Sequence, residues 1–312
     1  MFQEIIKEYS KVRYDPKNNL FYVTKINGEY ITKGPLNVGF QVTRKCNLKC
    51  IYCSESPPLK DMSLNEISIA FKNLKLAGVK LIKLTGGEAL MRQDIKEIIE
   101  CAKSFGFYVA MDSNATLITD EMAEFLASKL VYLESTIDGR QETHNKVRGK
   151  YNEVIAGIKR VAERGLPVYI AMVLLGDSLE DAKHVLNVAH TLNARFVKFL
   201  TPIPKARGKT LPSDYLDNPR LEKIWKELCK YKRDNKLKPT ITLSDWKRIG
   251  RVSIILIHPD GMAIGSPSIG EEACITPLGN VLTQPMTELW KGYPHKLNHI
   301  LKYTFETMLI EQ

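Results

Sequence analysis

"TRKCNLKCIYC", residues 43–53, places Cys46, Cys50 and Cys53 within eight positions of a 312-residue chain that has only six cysteines. Scattered at random, six cysteines would give this spacing in on the order of one sequence in a thousand. The cluster therefore calls for a chemical reason. It directly follows an apolar, β-branched run, "LNVGFQVT" at 36–43, and similar runs recur at "KLIKLT" (80–85), "FYVAMD" (107–112), "LVYLEST" (130–136), "PVYIAMVL" (167–174) and "RFVKFLT" (195–201). Segments of helical period separate them. Six strand-helix units predict a parallel sheet covered by helices, either doubly wound or a barrel or partial barrel. In each of these folds the loops at the C-terminal ends of the strands carry the chemistry, and the cysteines lie on the first such loop.

Local signals mark the units. Ser63 with Glu66 forms a capping box, and Ser178 with Asp181 resembles a similar start before residues 179–192. Gly78, Gly106 and Gly165 stand where helices should stop. Residues 1–35 read as a short polar helix and a hairpin, "LFYVTKINGEYIT", turning at its "NG". Residues 36–205 form the repeating core, and 206–250 a connector with a helix over 219–234. From 251 to 312 the chain reads as a hairpin, "VSIILIHPDGMAIGS", followed by loops and helices around 285–291 and 293–308.

Composition narrows the function classes. Hydrophobic content of 44% and charged content of 26% are those of an ordinary globular protein. No membrane span or signal peptide is visible, so a cytoplasmic location is expected. In that reducing compartment clustered cysteines are read as metal or catalytic ligands before disulfides. Cys101, Cys229 and Cys274 stand apart and read as plain thiols. The net charge of +10 suits an anionic partner, but the lysines are interspersed with glutamates and no basic run with interleaved aromatics occurs.

Three thiolates on one loop suit three irons of a [4Fe-4S] cluster whose fourth iron stays open to a further ligand. The competing reading is structural zinc, which needs a fourth ligand; Cys101 and His144, both on other units, are the nearest in sequence.

C-x3-C-x2-C after a first strand, with Tyr52 just before the last cysteine, resembles the radical S-adenosylmethionine (SAM) superfamily. The resemblance implies a partial (β/α)6 TIM-like barrel and one [4Fe-4S] cluster held by Cys46, Cys50 and Cys53. It further implies SAM chelating the open iron and, on reduction, yielding methionine and a 5′-deoxyadenosyl radical. "TGGEAL" at 85–90 is similar to the family's GGE motif, which places Gly86, Gly87 and Glu88 at the methionine amino group. "DSNATLIT" at 112–119 resembles its "TNG" turn, with Ser113 and Asn114 near SAM and Ala115 in place of glycine. "ESTIDGRQETHNKVRG" at 134–149 is similar to the "SxDG…HdxxRG" segment of the subgroup with SPASM or Twitch tails. That likeness brings in Ser135, Asp138 and Arg148, the last as a fork for the SAM carboxylate, and leaves His144 as a weaker candidate base. "PIPKARGKTL" at 202–211 resembles a loop of the same subgroup, where Arg207 would meet a substrate or the SAM ribose region.

The tail follows the frame "PDGxxxPCP…GNVxxxxxxEiW" of the SPASM or Twitch domain, yet Gly265 and Ser266 stand where proline and the first auxiliary-cluster cysteine belong. Only Cys274 follows, so a hairpin-helix cap over the barrel mouth without a second cluster is expected. The resemblance covers residues 36–292 and implies an enzyme without fixing it as oxidoreductase, transferase or lyase. Members with such tails build cofactors or modify peptides; residues 1–35 are shorter than the roughly 80-residue peptide-recognition domain often fused to peptide maturases. Arg44, Lys45 and Lys49 beside the cysteines suit docking of an acidic ferredoxin or flavodoxin. Two other readings stay open: a radical SAM enzyme acting on RNA, motivated by the charge, and a non-catalytic metal-binding or electron-carrier protein.

Overall fold

The computed structural model describes residues 10–15, 20–25, 28–55, 58–176, 178–211, 218–244, 254–266, 276–296 and 299–300. The expected N-terminal helix, the hairpin turn at Ile26 and Asn27, Cys274 and most of the helix expected at 293–308 lie outside these residues. β1 (Ser10–Asp15), β2 (Leu20–Lys25) and β3 (Gly28–Thr32) form a separate antiparallel sheet, with β2 and β3 paired as the "NG" signal implies.

The six expected core strands are β4 (Asn37–Thr43), β5 (Leu81–Gly86), β6 (Tyr108–Asp112), β7 (Tyr132–Thr136), β8 (Val168–Val173) and β9 (Phe196–Leu200). They pair in sequence order, all parallel. Between them run α1 (Leu64–Leu76), α2 (Ile95–Ser104), α3 (Asp120–Lys129), α4 (Gln141–Val147), α5 (Tyr151–Glu163) and α6 (Leu179–Thr191). The Ser63–Glu66 capping box forms at α1. Gly78, Gly106 and Gly165 take φ of +89°, +75° and +80°, and each begins a 6→1, 5→2 closure, such as Val79 N–H to Leu74 O and Gly78 N–H to Lys75 O.

At α6 the expected cap is different. Ser178 makes no side-chain capping bond. The Asp181 carboxylate instead accepts from Arg140 N and Nε, both at 2.9 Å, and from Thr143 Oγ1 at 3.0 Å. It thereby fixes the turn that follows β7, where Asp138 and Gly139 sit.

The stretch expected to be only a helical connector holds α7 (Asn218–Asp234) and a further strand, β10 (Thr240–Ser244), parallel to β9. The expected tail hairpin is β11 (Ile254–Ile257) and β12 (Met262–Ser266), followed by β13 (Thr276–Asn280) and α8 (Met286–Lys291). β11 pairs in parallel with β4. The sheet thus runs β10-β9-β8-β7-β6-β5-β4-β11-β12-β13, with eight consecutive parallel strands and, among the described residues, no pairing that closes it. This is a partial barrel widened at both edges. The tail flanks the cysteine loop, with Met62 N–H bonded to Pro259 O, and its Gly265 lies against the Tyr293 ring, where a Cβ would come within 2.2 Å.

Alternation along the strands divides the core. One face packs Ile82, Leu84, Val109, Met111, Leu133, Ile170 and Val197 under the helices. The concave face begins with Leu81, Ala110, Tyr132 and Tyr169, backed by Tyr108 and Phe196. The Tyr132 and Tyr169 rings stack at 4.4 Å and 9°, filling the N-terminal end of the barrel, and a cavity opens at the other end.

Candidate functional site

A cavity of about 320 Å³ lies at the C-terminal ends of the strands and is lined by all three clustered cysteines together with Tyr52, Gly86, Gly87, Ser113, Asn114, Arg148 and Arg207. The loop carrying the thiols is held through its backbone. Ile51 N donates to Val147 O at 3.0 Å, Cys53 N to Cys50 O at 3.3 Å, and Gly208 N to Cys53 O at 3.4 Å. Arg207 Nε donates to Cys50 O at 2.9 Å. Arg207 is therefore a brace for the cysteine loop as well as a wall of the cavity.

Gly86 and Gly87 act on the same loop. Gly87 N–H bonds Thr43 O at 2.9 Å and Glu88 N–H bonds Lys45 O at 2.8 Å. A Cβ on Gly86, whose φ is +147°, would stand 2.0 Å from Thr43 O, and one on Gly87 would stand 2.3 Å from Lys45 O. Both glycines line the cavity, as close approach of a ligand would need, and they also admit the chain entering the cysteine loop.

Glu88 is 1% exposed and does not line the cavity. It accepts from Leu90 N at 3.0 Å, Ser113 Oγ at 2.8 Å and Asn114 N at 2.6 Å. Burial pushes its carboxyl up against the pull of those hydrogen bonds. Through Glu88 the second loop shapes the third: Ala115 holds φ +63°, so the turn keeps the left-handed geometry that glycine would adopt freely. Asn114 Nδ2 donates to Asn47 Oδ1 at 2.8 Å and lies 4.0 Å from Cys46 Sγ. Leu48 N–H also approaches that sulfur, at 3.4 Å.

The fourth strand corrects one expectation. Ser135 lies on the helix-facing side of β7, 2% exposed, with its Oγ unpartnered. Thr136 and Glu134 line the cavity instead. The "SxDG" frame itself places the hydroxyl two residues before the aspartate, which in "TIDG" is Thr136; strand alternation says the same. Ser135→Ala is expected to leave thermal stability unchanged or slightly raised, because it deletes a buried hydroxyl that has no partner. A melting temperature lowered by several degrees would contradict this placement.

Tyr52, Asp138 and Arg148 form one linked set. Tyr52 Oη donates to Asp138 Oδ2 at 2.5 Å and accepts from Arg148 Nη1 at 2.6 Å, while Arg148 Nη1 lies 3.7 Å from Asp138 Oδ2. Asp138 Oδ1 accepts from Val173 N at 3.0 Å. Burial pushes the Asp138 carboxyl up, and the guanidinium opposes that rise. Arg148 lines the cavity, and its Nε is buried without a partner among the described residues.

His144 is fully buried, and both ring nitrogens are engaged: Nδ1 accepts from Asp138 N at 3.1 Å and Nε2 faces Gly149 O at 3.1 Å. It is a scaffold for the Asp138 and Arg148 turns, with no nitrogen left for a base or a zinc ion. Burial, then the nearby Arg148 charge, lowers its pKa to about 4. The neutral ring therefore contributes stability above the ordinary histidine range near 6.5, and that contribution is lost as pH falls from 6.5 towards 4. The stability advantage of wild type over His144→Asn, measured by urea unfolding, is expected to shrink by on the order of 3 kcal/mol across that window. An advantage independent of pH would contradict it.

The donor set and its surroundings fit a cluster with one open iron. Three soft thiols line a cavity whose wall also includes Arg148. Burial pushes the Cys50 thiol up to about 11 and raises Cys46, so metal binding here would displace protons. Among the described residues no group of three or more His, Cys, Asp or Glu side chains is arranged to hold a single metal ion. Cys101, the other expected zinc ligand, packs against the core from α2.

Two features missed in the sequence complete the site. Gln41 Nε2 donates to both Glu55 oxygens at 2.9 Å, beside Arg44. Arg44, expected as a docking base, has a side chain only 9% exposed and meets His258 Nδ1 at 3.0 Å; Lys45 and Lys49 are exposed. Elsewhere lysines and arginines are paired with carboxylates, as in Lys96–Glu121, Lys129–Glu100 and Arg164–Asp120, which disperses the surplus charge. No helix among the described residues is long and apolar enough to cross a membrane.

Comparison with known proteins bears on the family and the fold. The radical SAM superfamily model matches residues 40–189. An AdoMet-dependent heme synthase of Methanosarcina barkeri is 28% identical over 198 residues, 59% of this chain and 57% of that protein. A probable GTP 3',8-cyclase of Archaeoglobus fulgidus is 34% identical over 185 residues, covering 54% and 61%. The match thus spans little more than half the length of either relative. Streptococcus suis SuiB bound to the precursor peptide SuiA shares the fold, with a TM-score of 0.70 at 14% identity over 84% of this chain and 66% of that one.

Proposed function

Residues 40–189 are a radical SAM domain, and from that premise we propose that the chain is a radical SAM enzyme of cofactor biosynthesis or peptide modification. The observation that carries the reading is the convergence of Cys46, Cys50, Cys53 and Arg148 on one cavity at the strand ends. Cys46, Cys50 and Cys53 would hold a [4Fe-4S] cluster that, when reduced, would supply the electron for splitting SAM into methionine and a 5′-deoxyadenosyl radical.

The protein's own groups do the rest. Arg148, held by Tyr52, offers its free N–H to the SAM carboxylate. Asn114 Nδ2 and Leu48 N–H point at Cys46 Sγ, and such donors raise the potential of a bound cluster. Thr136 takes the place expected for Ser135 beside SAM. Val173, Leu200 and Ile203 line the inner wall and keep water from a reactive radical. An acidic low-potential protein would deliver the electron over the exposed Lys45 and Lys49.

Anaerobic loading with iron and sulfide, followed by SAM and dithionite, tests the reading: 5′-deoxyadenosine is the expected product. A fully loaded protein that forms none overturns it. Thr136→Val is expected to weaken SAM binding by about tenfold, the worth of one buried hydrogen bond, measured by equilibrium binding to the loaded protein. An unchanged affinity would remove Thr136 from the site.

A further inference from the structure

Along the barrel axis the concave face changes abruptly. Its closed end is the aromatic layer of Tyr132, Tyr169 and Phe196. One step nearer the cavity, four charged side chains from β5, β6, β7 and β9 replace it. Lys83 Nζ lies 2.7 Å from Asp112 Oδ1 and 3.0 Å from Glu134 Oε2, and Lys198 Nζ reaches the same Glu134 oxygen at 2.6 Å.

Stability does not explain this layer. Enclosing two ammonium and two carboxylate groups incurs desolvation costs that their mutual attraction does little more than offset, and well-packed apolar residues would serve as well. The layer directly beneath is built that way. The four charges balance to zero, so the layer does not act as a bulk anion or cation trap either.

What distinguishes the four is which of them face the cavity. Asp112 and Glu134 line it, whereas the two lysines do not. Glu134 is neutralised from both sides, and its side chain is 13% exposed; that of Asp112, met by a Lys83 shared with Glu134, is 37% exposed. The surface offered to an occupant is thus a carboxylate acceptor, aimed by a lysine behind it. At the other end of the cavity stand the thiols and Arg148.

We infer that Asp112 is the substrate-contacting carboxylate of this cavity and selects a substrate whose inserted end carries a cationic or hydrogen-bond-donating nitrogen, such as an ammonium, guanidinium or amide group. Glu134 and the two lysines are positioning residues: they fix the Asp112 carboxylate and keep the layer neutral. The inference rests on the reading of the cavity as the reaction chamber and adds the chemistry of what enters it.

Calorimetric titration of the full chain at low ionic strength, with n-butylguanidinium and valerate as probes of similar size, tests it without any cluster or turnover. The expected result is saturable 1:1 binding of n-butylguanidinium, none of valerate, and affinity for the cation lowered about tenfold or more in Asp112→Asn. No cation binding, preference for valerate, or equal binding to Asp112→Asn overturns the proposal. Should Asp112→Asn fail to fold, carbodiimide and glycine ethyl ester labelling of the wild-type protein, located by mass spectrometry, decides instead. Protection of Asp112 by n-butylguanidinium is expected, and unprotected labelling overturns the proposal. Failure of the loaded protein to cleave SAM would overturn the proposed function alone; a SAM-cleaving protein indifferent to the probe overturns only this inference.

Discussion

Cys50→Ala protein, loaded anaerobically beside wild type, is expected to lack the brown iron-sulfur absorbance and to form no detectable 5′-deoxyadenosine while remaining folded. The separation of chemistry from folding follows from how the loop is built. Its hydrogen bonds to Val147, Arg207 and Gly208 all run through backbone atoms, and none uses the Cys50 sulfur. The thiol is 8% exposed, so its loss removes a small buried group worth about 1 kcal/mol. Two remaining thiolates cannot hold a cubane that keeps one iron open. Cys101→Ala, on α2 and away from the cavity lining, is the matched control and is expected to keep the full iron content. Retention of a [4Fe-4S] spectrum by Cys50→Ala would overturn the ligand assignment.

Arg148→Met carries the largest expected cost in stability. The guanidinium is the cation facing an Asp138 side chain that is 0% exposed and also binds Tyr52. Removing one member of a buried charged pair leaves the other uncompensated, at a cost of about 3–5 kcal/mol. Burial already raises the Asp138 pKa, and without Arg148 it rises further. The sign follows: the folded variant binds a proton that the unfolded chain gives up near pH 4, so the deficit is small at low pH and grows as pH rises past that range. Urea unfolding from pH 4 to 8 measures it, and Arg148→Met combined with Asp138→Asn should recover most of the loss near neutrality. SAM binding is not expected to return in the double variant, because the free Nε–H is gone. A deficit independent of pH would contradict the pairing.

Much of this was legible along the chain. Apolar runs of strand length, a capping box and three helix-stopping glycines placed β4 to β9 and most intervening helices, because each signal is local. The spacing of Cys46, Cys50 and Cys53 pointed to the cavity for the same reason: one loop supplies all three thiols that line it. What escaped was of two kinds. β10 is a five-residue strand, "TITLS", whose short alternating run carries little periodic signal and takes its place from β9. Ser135 and Thr136 are adjacent hydroxyl residues, and only the direction of each side chain on a paired strand separates them.

Sequence by itself determined the order of strand-helix units and the loop that carries the three clustered thiols, since these depend on neighbours within a few residues. Tertiary structure alone decided the rest. Glu88 turned out to shape the third loop from a buried position, His144 to support two backbone turns, and Gly86 and Gly87 to admit the chain at Thr43 and Lys45. It also set four charges from four strands into one layer under the cavity. Lys83, Asp112, Glu134 and Lys198 are up to 115 residues apart, and only the pairing register of parallel strands brings them within an ion pair of one another.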